Sequence, residues 1–213
     1  MLSYFLSFAL CLVPCALQQA KVVDQILMLV NDEVITRSDL LWNLAIDPTA
    51  PNPAEGVSSD LLKQKLDVLI DQQLVLQEAL RIPSAAISED EVKKKLATIM
   101  GSFKNPTAFQ KRVEAVGLNP EKLEELARRQ VMIDKFVEFR FETFVLVTEQ
   151  EIQDYYEKNT VPEVKKLGAV PPPVAEVRDM IYQRLKAEKV NIEIDRWLSE
   201  ARQRAELVSL AEP

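Results

Sequence analysis

The sequence contains no histidine. That absence excludes Ser-His-Asp triads, imidazole acid–base chemistry and His-ligated metal sites. Cysteine is almost as scarce: Cys11 and Cys15 are the only two in 213 residues. If the segment carrying them is removed, a disulfide scaffold, a Cys zinc site and a thiolate nucleophile are excluded too. With four glycines, no stretch resembles a Gly-rich phosphate cradle. Basic residues are outnumbered, 26 Lys and Arg against 33 Asp and Glu, giving a net charge of −7 and a pI near 4.9. A nucleic-acid binder needs a basic stripe that releases counterions, so none is expected as a partner. The densest basic clusters, Lys93-Lys94-Lys95 and Arg128-Arg129, are interleaved with acids and read as solvated helix faces. What is present is a chain 47% hydrophobic and 28% charged, enough apolar material for a core.

Met1 to Leu17 is apolar almost throughout and carries no charged side chain. It has the length of the hydrophobic region of an export signal and is short for a membrane span. No Lys or Arg precedes the run, which departs from the usual signal pattern. The reading is a signal peptide over residues 1–20, cut near Ala16 to Ala20. A retained anchor and a buried N-terminal helix are the alternatives. All of the negative charge belongs to the remainder, because residues 1–20 hold no Asp, Glu, Lys or Arg.

Beyond the leader, Ile26 to Val30 and Val34 to Thr36 flank Asn31-Asp32 and predict a tight β-hairpin. Ser38-Asp39 predicts a short helix from Asp39 to Ile46, ended by Pro48. Asp47 to Val57 holds three prolines and a glycine and reads as a loop. A helix from Leu61 to Arg81 carries Leu62, Leu66, Leu69, Leu76 and Leu80 on one stripe. Leu61, Val68, Leu74 and Val75 form a second, which predicts burial on two sides. Capping boxes at Ser88–Glu91, Thr107–Gln110 and Thr148–Glu151 predict three further helix starts. The first precedes Val92, Leu96 and Ile99, the second is stopped by Gly117, and the third begins Glu149 to Lys158. Asn119-Pro120 opens a helix predicted to run from Glu121 towards Val147. Residues 161–173 hold four prolines and a glycine and predict an extended, non-helical connector. A long amphipathic helix follows from Val174 to about Ala205, with Val177, Ile181, Leu185, Ile194, Trp197, Leu198 and Ala201 on its apolar side. Ala205 to Leu210 alternates as a short strand that could pair with the hairpin, tying the two chain ends together. The fold class is mainly α with a small β-sheet.

No arrangement of residues predicts catalysis. Glu89/Asp90/Glu91 and Glu149/Glu151 lie in first turns of helices, where carboxylates serve the free amides and the macrodipole. Neither group has the spacing of a metal loop, so no catalytic residue, metal or cofactor is expected. The aromatic pattern is more informative. Phe136, Phe139, Phe141 and Phe144 place four of eight phenylalanines within nine residues. On a continuous helix Phe136 and Phe141 differ by about 500°, or about 140° modulo a full turn, so they cannot share one core face. Either they pack into the interior from two sides, or some line an open apolar groove for a partner's hydrophobic side chains. Trp42 is equally ambiguous, whereas Trp197 sits on an apolar stripe and reads as core.

Four stretches, taken in order, resemble the SurA-like periplasmic chaperones. Ile26 to Leu41 (ILMLVNDEVITRSDLL) is similar to that family's opening hairpin and first helix, and Leu66 to Glu78 (LDVLIDQQLVLQE) to the helix after it. Val147 to Asn159 (VTEQEIQDYYEKN) is similar to the connector before its parvulin isomerase domain. Glu176 to Leu210 resembles its returning helix and final strand, with Arg184-Leu-x-x-Glu-Lys189 and Trp197-Leu198. In the family one or more parvulin domains usually separate the last two stretches; here only Thr160 to Pro173 joins them. The resemblance implies a SurA-like N-terminal helical domain over 21–160, a Pro-rich connector over 161–173 in place of a parvulin domain, and a helix and strand over 174–213 completing the same core. It further implies an exported, periplasmic, ATP-independent holdase for unfolded outer-membrane or other envelope proteins, without prolyl isomerase activity. Two rivals stand beside it: a dedicated interaction subunit with one folded partner in an envelope complex, and a foldase whose isomerase is supplied by another chain. The phenylalanine cluster, as a peptide-binding surface, comes from the residues alone.

Overall fold

The computed structural model describes residues 24–82 and 87–213. The expected leader, with Cys11 and Cys15, lies outside the described residues. Three strands, β1 (Ile26–Val30), β2 (Glu33–Thr36) and β3 (Leu207–Ser209), form one antiparallel sheet in the order β2-β1-β3. The hairpin turns at Asn31, whose φ of 55° is a left-handed geometry that asparagine tolerates better than most residues. The Asn31 backbone donates to Glu206 O at 2.8 Å, and its Oδ1 accepts from the Glu206 amide at 2.9 Å. Its Nδ2 donates to Gln77 Oε1 at 2.7 Å. One turn residue thus fastens the hairpin to β3 and to the next long helix. The pairing of the two ends is as the alternating tail predicted, with Leu29 opposite Val208.

Helices make up the rest: α1 (Arg37–Ala45), α2 (Ser59–Ala79), α3 (Glu89–Gly101), α4 (Pro106–Ala115), α5 (Pro120–Arg140), α6 (Glu149–Tyr155), α7 (Val161–Lys166) and α8 (Val174–Arg204). The boxes at Ser88 and Thr148 cap α3 and α6 as expected, and Asn119 caps α5 with Pro120 in its first turn. Two starts differ from expectation. Thr36 rather than Ser38 caps α1, because Asp39 is its reciprocal partner three residues on. Asn105, ahead of Pro106, caps α4 in place of Thr107; proline needs no amide partner at that position. At the other end of α4, Gly117 takes a φ of 65°, letting the Leu118 amide reach Val113 O at 2.9 Å.

Three larger corrections concern α2, α5 and the connector. Along α2, Leu74 and Val75 are buried as expected, but Val68 is 47% exposed, so the second stripe is only partly covered. Helix α5 stops at Arg140 instead of reaching Val147, and a 3-10 turn, Glu142–Phe144, follows. The expected connector is helical in its first half: α6 widens into a π-helical segment, Tyr156–Thr160, and continues as α7. Pro162 sits at the junction of the π-helical segment and α7, where the wider turn takes in a residue that has no amide to donate. The other prolines come after Gly168, where the chain is neither helix nor strand until α8 begins.

The interior forms three apolar clusters. Leu27, Val30, Leu40, Leu44, Leu66 and Ile70 unite the sheet with α1 and α2. Val92, Phe109, Val113, Leu126 and Ala127 join α3, α4 and the start of α5. Val75, Ala79, Phe136, Phe141 and Val190 join the ends of α2 and α5 to α8. Trp197 packs against the first and third clusters. Among the described residues, no helix is long and apolar enough to cross a membrane.

Candidate functional site

The phenylalanine cluster divides in two. Phe136 and Phe141 are core residues, 3% and 5% exposed, whereas Phe139 and Phe144 are 54% and 71% exposed. The early end of α5 explains how Phe136 and Phe141 share a core that a continuous helix would have denied them. The Phe141 amide closes the helix on Val137 O at 2.9 Å, and the 3-10 turn then redirects the chain, assisted by Thr143 Oγ1 donating to Glu138 O at 3.1 Å. Phe141 folds back beneath Phe136, ring centroids 6.0 Å apart. Trp197 completes a three-ring cluster at 5.7 Å from Phe136 and 6.1 Å from Phe141, within the range of favourable edge-on packing. Phe136 is therefore withdrawn from the expected peptide-binding set as a core residue. Phe141 contributes only as the floor of a cleft.

That cleft, of about 310 Å³, has Phe141, Phe144, Val145 and Trp197 as its apolar surfaces, with Arg140, Arg196, Glu193 and Glu200 around them. Leu146, 78% exposed, continues the apolar surface beyond Phe144, and Lys189 Nζ donates to its carbonyl at 2.8 Å. A broader cleft of about 600 Å³ also reaches Trp197, lined by Leu74, Leu80, Gln77, Arg81, Arg204 and Glu206 among others. Half-buried Trp197 is thus both a core side chain and a wall shared by two clefts. Trp42 lies elsewhere, packed on the second apolar cluster, with its Nε1 donating to Val116 O at 3.1 Å. Sequence reasoning missed Leu80 as a cleft wall because it placed that residue on the buried stripe; it is 66% exposed just beyond the end of α2. It missed Leu146 because the segment was expected to remain in α5.

The acidic groups of the first turns serve structure. Glu91 accepts from the Ser88 amide at 2.8 Å and pairs with Lys135 at 2.7 Å. Glu151 accepts from the Thr148 amide at 2.8 Å and pairs with Lys189 at 2.6 Å. Glu149 pairs with Arg178, so two ion pairs fasten α6 to α8. The Lys189 hydrogen bond, then those from Thr148, hold the Glu151 carboxyl at about 2 rather than 4.5; Lys135 and then Ser88 do the same for Glu91. Depressed carboxyl values mean that the folded state binds fewer protons than the unfolded one. Their contribution is complete above about pH 5 and disappears as pH falls through about 2. Acidification from about pH 5 to about pH 2.5 is therefore expected to lower the melting temperature, and Glu151→Gln to shrink that drop while lowering stability at pH 7. A drop of unchanged size in the variant would assign the acid sensitivity to other groups. Among the described residues, no group of three or more His, Cys, Asp or Glu is placed to hold a metal ion.

Comparison with known proteins adds a family. Residues 5–137 match the SurA-like N-terminal domain. A protein described as chaperone SurA from Cupriavidus pinatubonensis (strain JMP 134 / LMG 1197) is 28% identical over 143 residues, which cover 65% of this chain and 28% of that relative. Another chaperone SurA, from Cupriavidus metallidurans (strain ATCC 43123 / DSM 2839 / NBRC 102507 / CH34), is 26% identical over 152 residues, covering 67% of this chain and 29% of the relative. The chain thus matches less than a third of the length of either relative. The family match stops at residue 137, ahead of Phe139, Phe141 and Phe144.

Proposed function

We infer that this chain, which belongs to the SurA-like N-terminal domain family, is an ATP-independent chaperone that holds extended, non-native polypeptides without covalent chemistry. The observation that carries this reading is Phe144, 71% exposed on a cleft walled by Trp197, with Phe139 and Leu146 exposed within five residues of it in the chain. Large exposed aromatic and aliphatic side chains beside an open cleft mark an interaction surface. The charged rim of Arg140, Arg196, Glu193 and Glu200 carries both signs and imposes no single charge on a client. The description of both relatives as chaperones supports the same reading. Weak, many-sided contact suits such work, since ordering a disordered client offsets much of the contact energy. A net charge of −7 keeps a protein with exposed apolar surface soluble. The clients are unfolded envelope or outer-membrane proteins and the compartment is the periplasm, reached through the leader over residues 1–20. No isomerase step is assigned, since the chain has no histidine and only Thr160 to Pro173 where the family usually places its parvulin domain. Residues 21–160 and 174–213 act as one module, with the intervening segment as its arm.

Light scattering from an aggregating unfolded outer-membrane protein tests this. The chain from Lys21 to Pro213 is expected to suppress scattering at near-stoichiometric amounts, with no effect of ATP. The double variant Phe139→Ser/Phe144→Ser is expected to weaken suppression about tenfold while retaining its helical circular dichroism, because both rings project into solvent. No suppression by the folded parent chain would sink general chaperoning and favour one dedicated folded partner. Loss of helicity in the variant would assign these rings to the core.

A further inference from the structure

The chain from Leu146 to Lys189 builds an arm outside the three apolar clusters, none of which takes a residue from it. Its own interior is small: Ile152 of α6 and Ile181 of α8 are buried, and α7 packs chiefly on the π-helical segment before it. Gly168, at a φ of 73°, closes α7, and the Ala169 amide reaches back to Val164 O at 3.2 Å. Tyr156 Oη donates to Pro172 O at 2.7 Å, which pins the returning chain. The turn held in this way, Lys165 to Val170, is the longest exposed run among the described residues. Leu167 is 84% and Val170 89% exposed, more than any other large apolar side chain described. Neither cleft at Trp197 takes a residue from this turn.

The charges of the arm sort the same way. Lys158, Arg178, Arg184, Lys186 and Lys189 each have an acidic partner. Lys165 and Lys166 have none among the described residues, and Glu163 is the only acid from Val161 to Ala175. Two unpaired lysines beside two bare apolar side chains on an outward turn form no groove that could enclose a polypeptide. Such a tip fits a yielding surface, in which the apolar side chains sink among acyl chains while the ammonium groups meet phosphates. We propose that the tip from Lys165 to Val170 docks the protein reversibly on an anionic lipid bilayer. The net charge of −7 does not prevent this, because α8 rises about 24 Å between Val174 and Val190, where the core begins. That separation is more than twice the screening length of about 8 Å at physiological salt. No described helix is long and apolar enough to cross a membrane, so attachment through this tip is superficial. The proposal goes beyond the chaperone reading and does not depend on it.

Flotation with two vesicle preparations tests this: phosphatidylcholine alone, and an equal mixture of phosphatidylcholine and phosphatidylglycerol. The probe is the chain from Lys21 to Pro213, which keeps every described residue and omits the apolar leader. It is expected to partition onto the anionic vesicles about twentyfold more strongly, since each lysine near such a surface contributes about fivefold. Lys165→Gln/Lys166→Gln should abolish that preference, and Leu167→Ser/Val170→Ser should lower partition onto the anionic vesicles about tenfold. Lys158→Gln, which removes a paired charge from the same arm, should stay within about twofold of the parent. Circular dichroism should be unchanged in all three variants, because the altered side chains are exposed. Equal partition of the parent chain onto the two preparations overturns the proposal, as does an anionic preference that survives in the double lysine variant. Partition lost instead in Phe139→Ser/Phe144→Ser would assign vesicle binding to the client surface, and overturns it too. So does a parent chain that ignores both vesicles but dimerises in sedimentation, with Leu167→Ser/Val170→Ser monomeric, which would give the tip to a second copy.

Discussion

Phe136→Ala is expected to lower the free energy of unfolding by about 3–5 kcal/mol, the range for truncating a buried phenylalanine. The side chain is 3% exposed and its ring meets Phe141 and Trp197 at 6.0 and 5.7 Å. Deleting it removes apolar burial, opens a void beneath two large rings, and forfeits edge-on contacts worth about 0.5–1.5 kcal/mol. The damage concentrates where α2, α5 and α8 meet. Denaturant unfolding followed by tryptophan emission, in a Trp42→Phe background, reads that junction through Trp197 alone. Phe139→Ala, three residues along on the exposed side, should stay within about 0.5 kcal/mol of the parent. Similar losses at the two positions would contradict the division of the cluster into core and surface rings.

A second large loss is expected from Arg112→Met. The Arg112 guanidinium donates to five carbonyl oxygens: Leu44 at 2.6 Å, Ala45 and Ala50 at 3.0 Å, and Asp47 and Pro51 at 3.1 Å. Leu44 and Ala45 end α1, and the Leu44 carbonyl also accepts from the Asp47 amide at 3.3 Å; the others belong to the proline-rich loop after it. One side chain from α4 thus caps a helix and shapes a loop more than sixty positions away. Removal should cost about 2–3 kcal/mol, the scale of charged hydrogen bonds to groups that are partly cut off from water. Arg112→Lys should rescue little, since a compact ammonium cannot present the planar fork that reaches so many acceptors. Lys111→Met, on the exposed neighbour, should be nearly silent. Thermal unfolding of the three variants checks this, and a full rescue by lysine would show that charge alone is what matters at Arg112.

Much of the architecture was legible because its signals are local. Asn31-Asp32 between two β-prone runs, Ser88 and Thr148 three residues before glutamate, and Asn119-Pro120 each specify backbone geometry within a few positions, and each is realised. The failures came where tertiary packing decided. Nothing local ends α5 at Arg140; the turn there follows from the need to place both Phe136 and Phe141 under Trp197. Proline counting misjudged residues 161–173 because it ignored position, three of the four prolines falling after the helical part. The candidate surface was half legible. A phenylalanine run announces apolar surface, but Phe139 and Phe144 separate from Phe136 and Phe141 only once the helix end is known.

The central position of β1 sets the order in which the protein can be finished. Its partner β3 lies opposite Met28 through contacts such as Met28 to Ser209, so closing the sheet brings together segments separated by most of the chain. The entropic cost of such a closure grows slowly with loop length, and pairings of this separation slow folding. Until α8 docks and delivers β3, one side of β1 is an open strand edge. Such an edge, beside the incompletely covered side chains of Leu27 and Val30, is a template for pairing with another chain. The nascent form of this protein would therefore display the kind of surface that its folded form is proposed to hold.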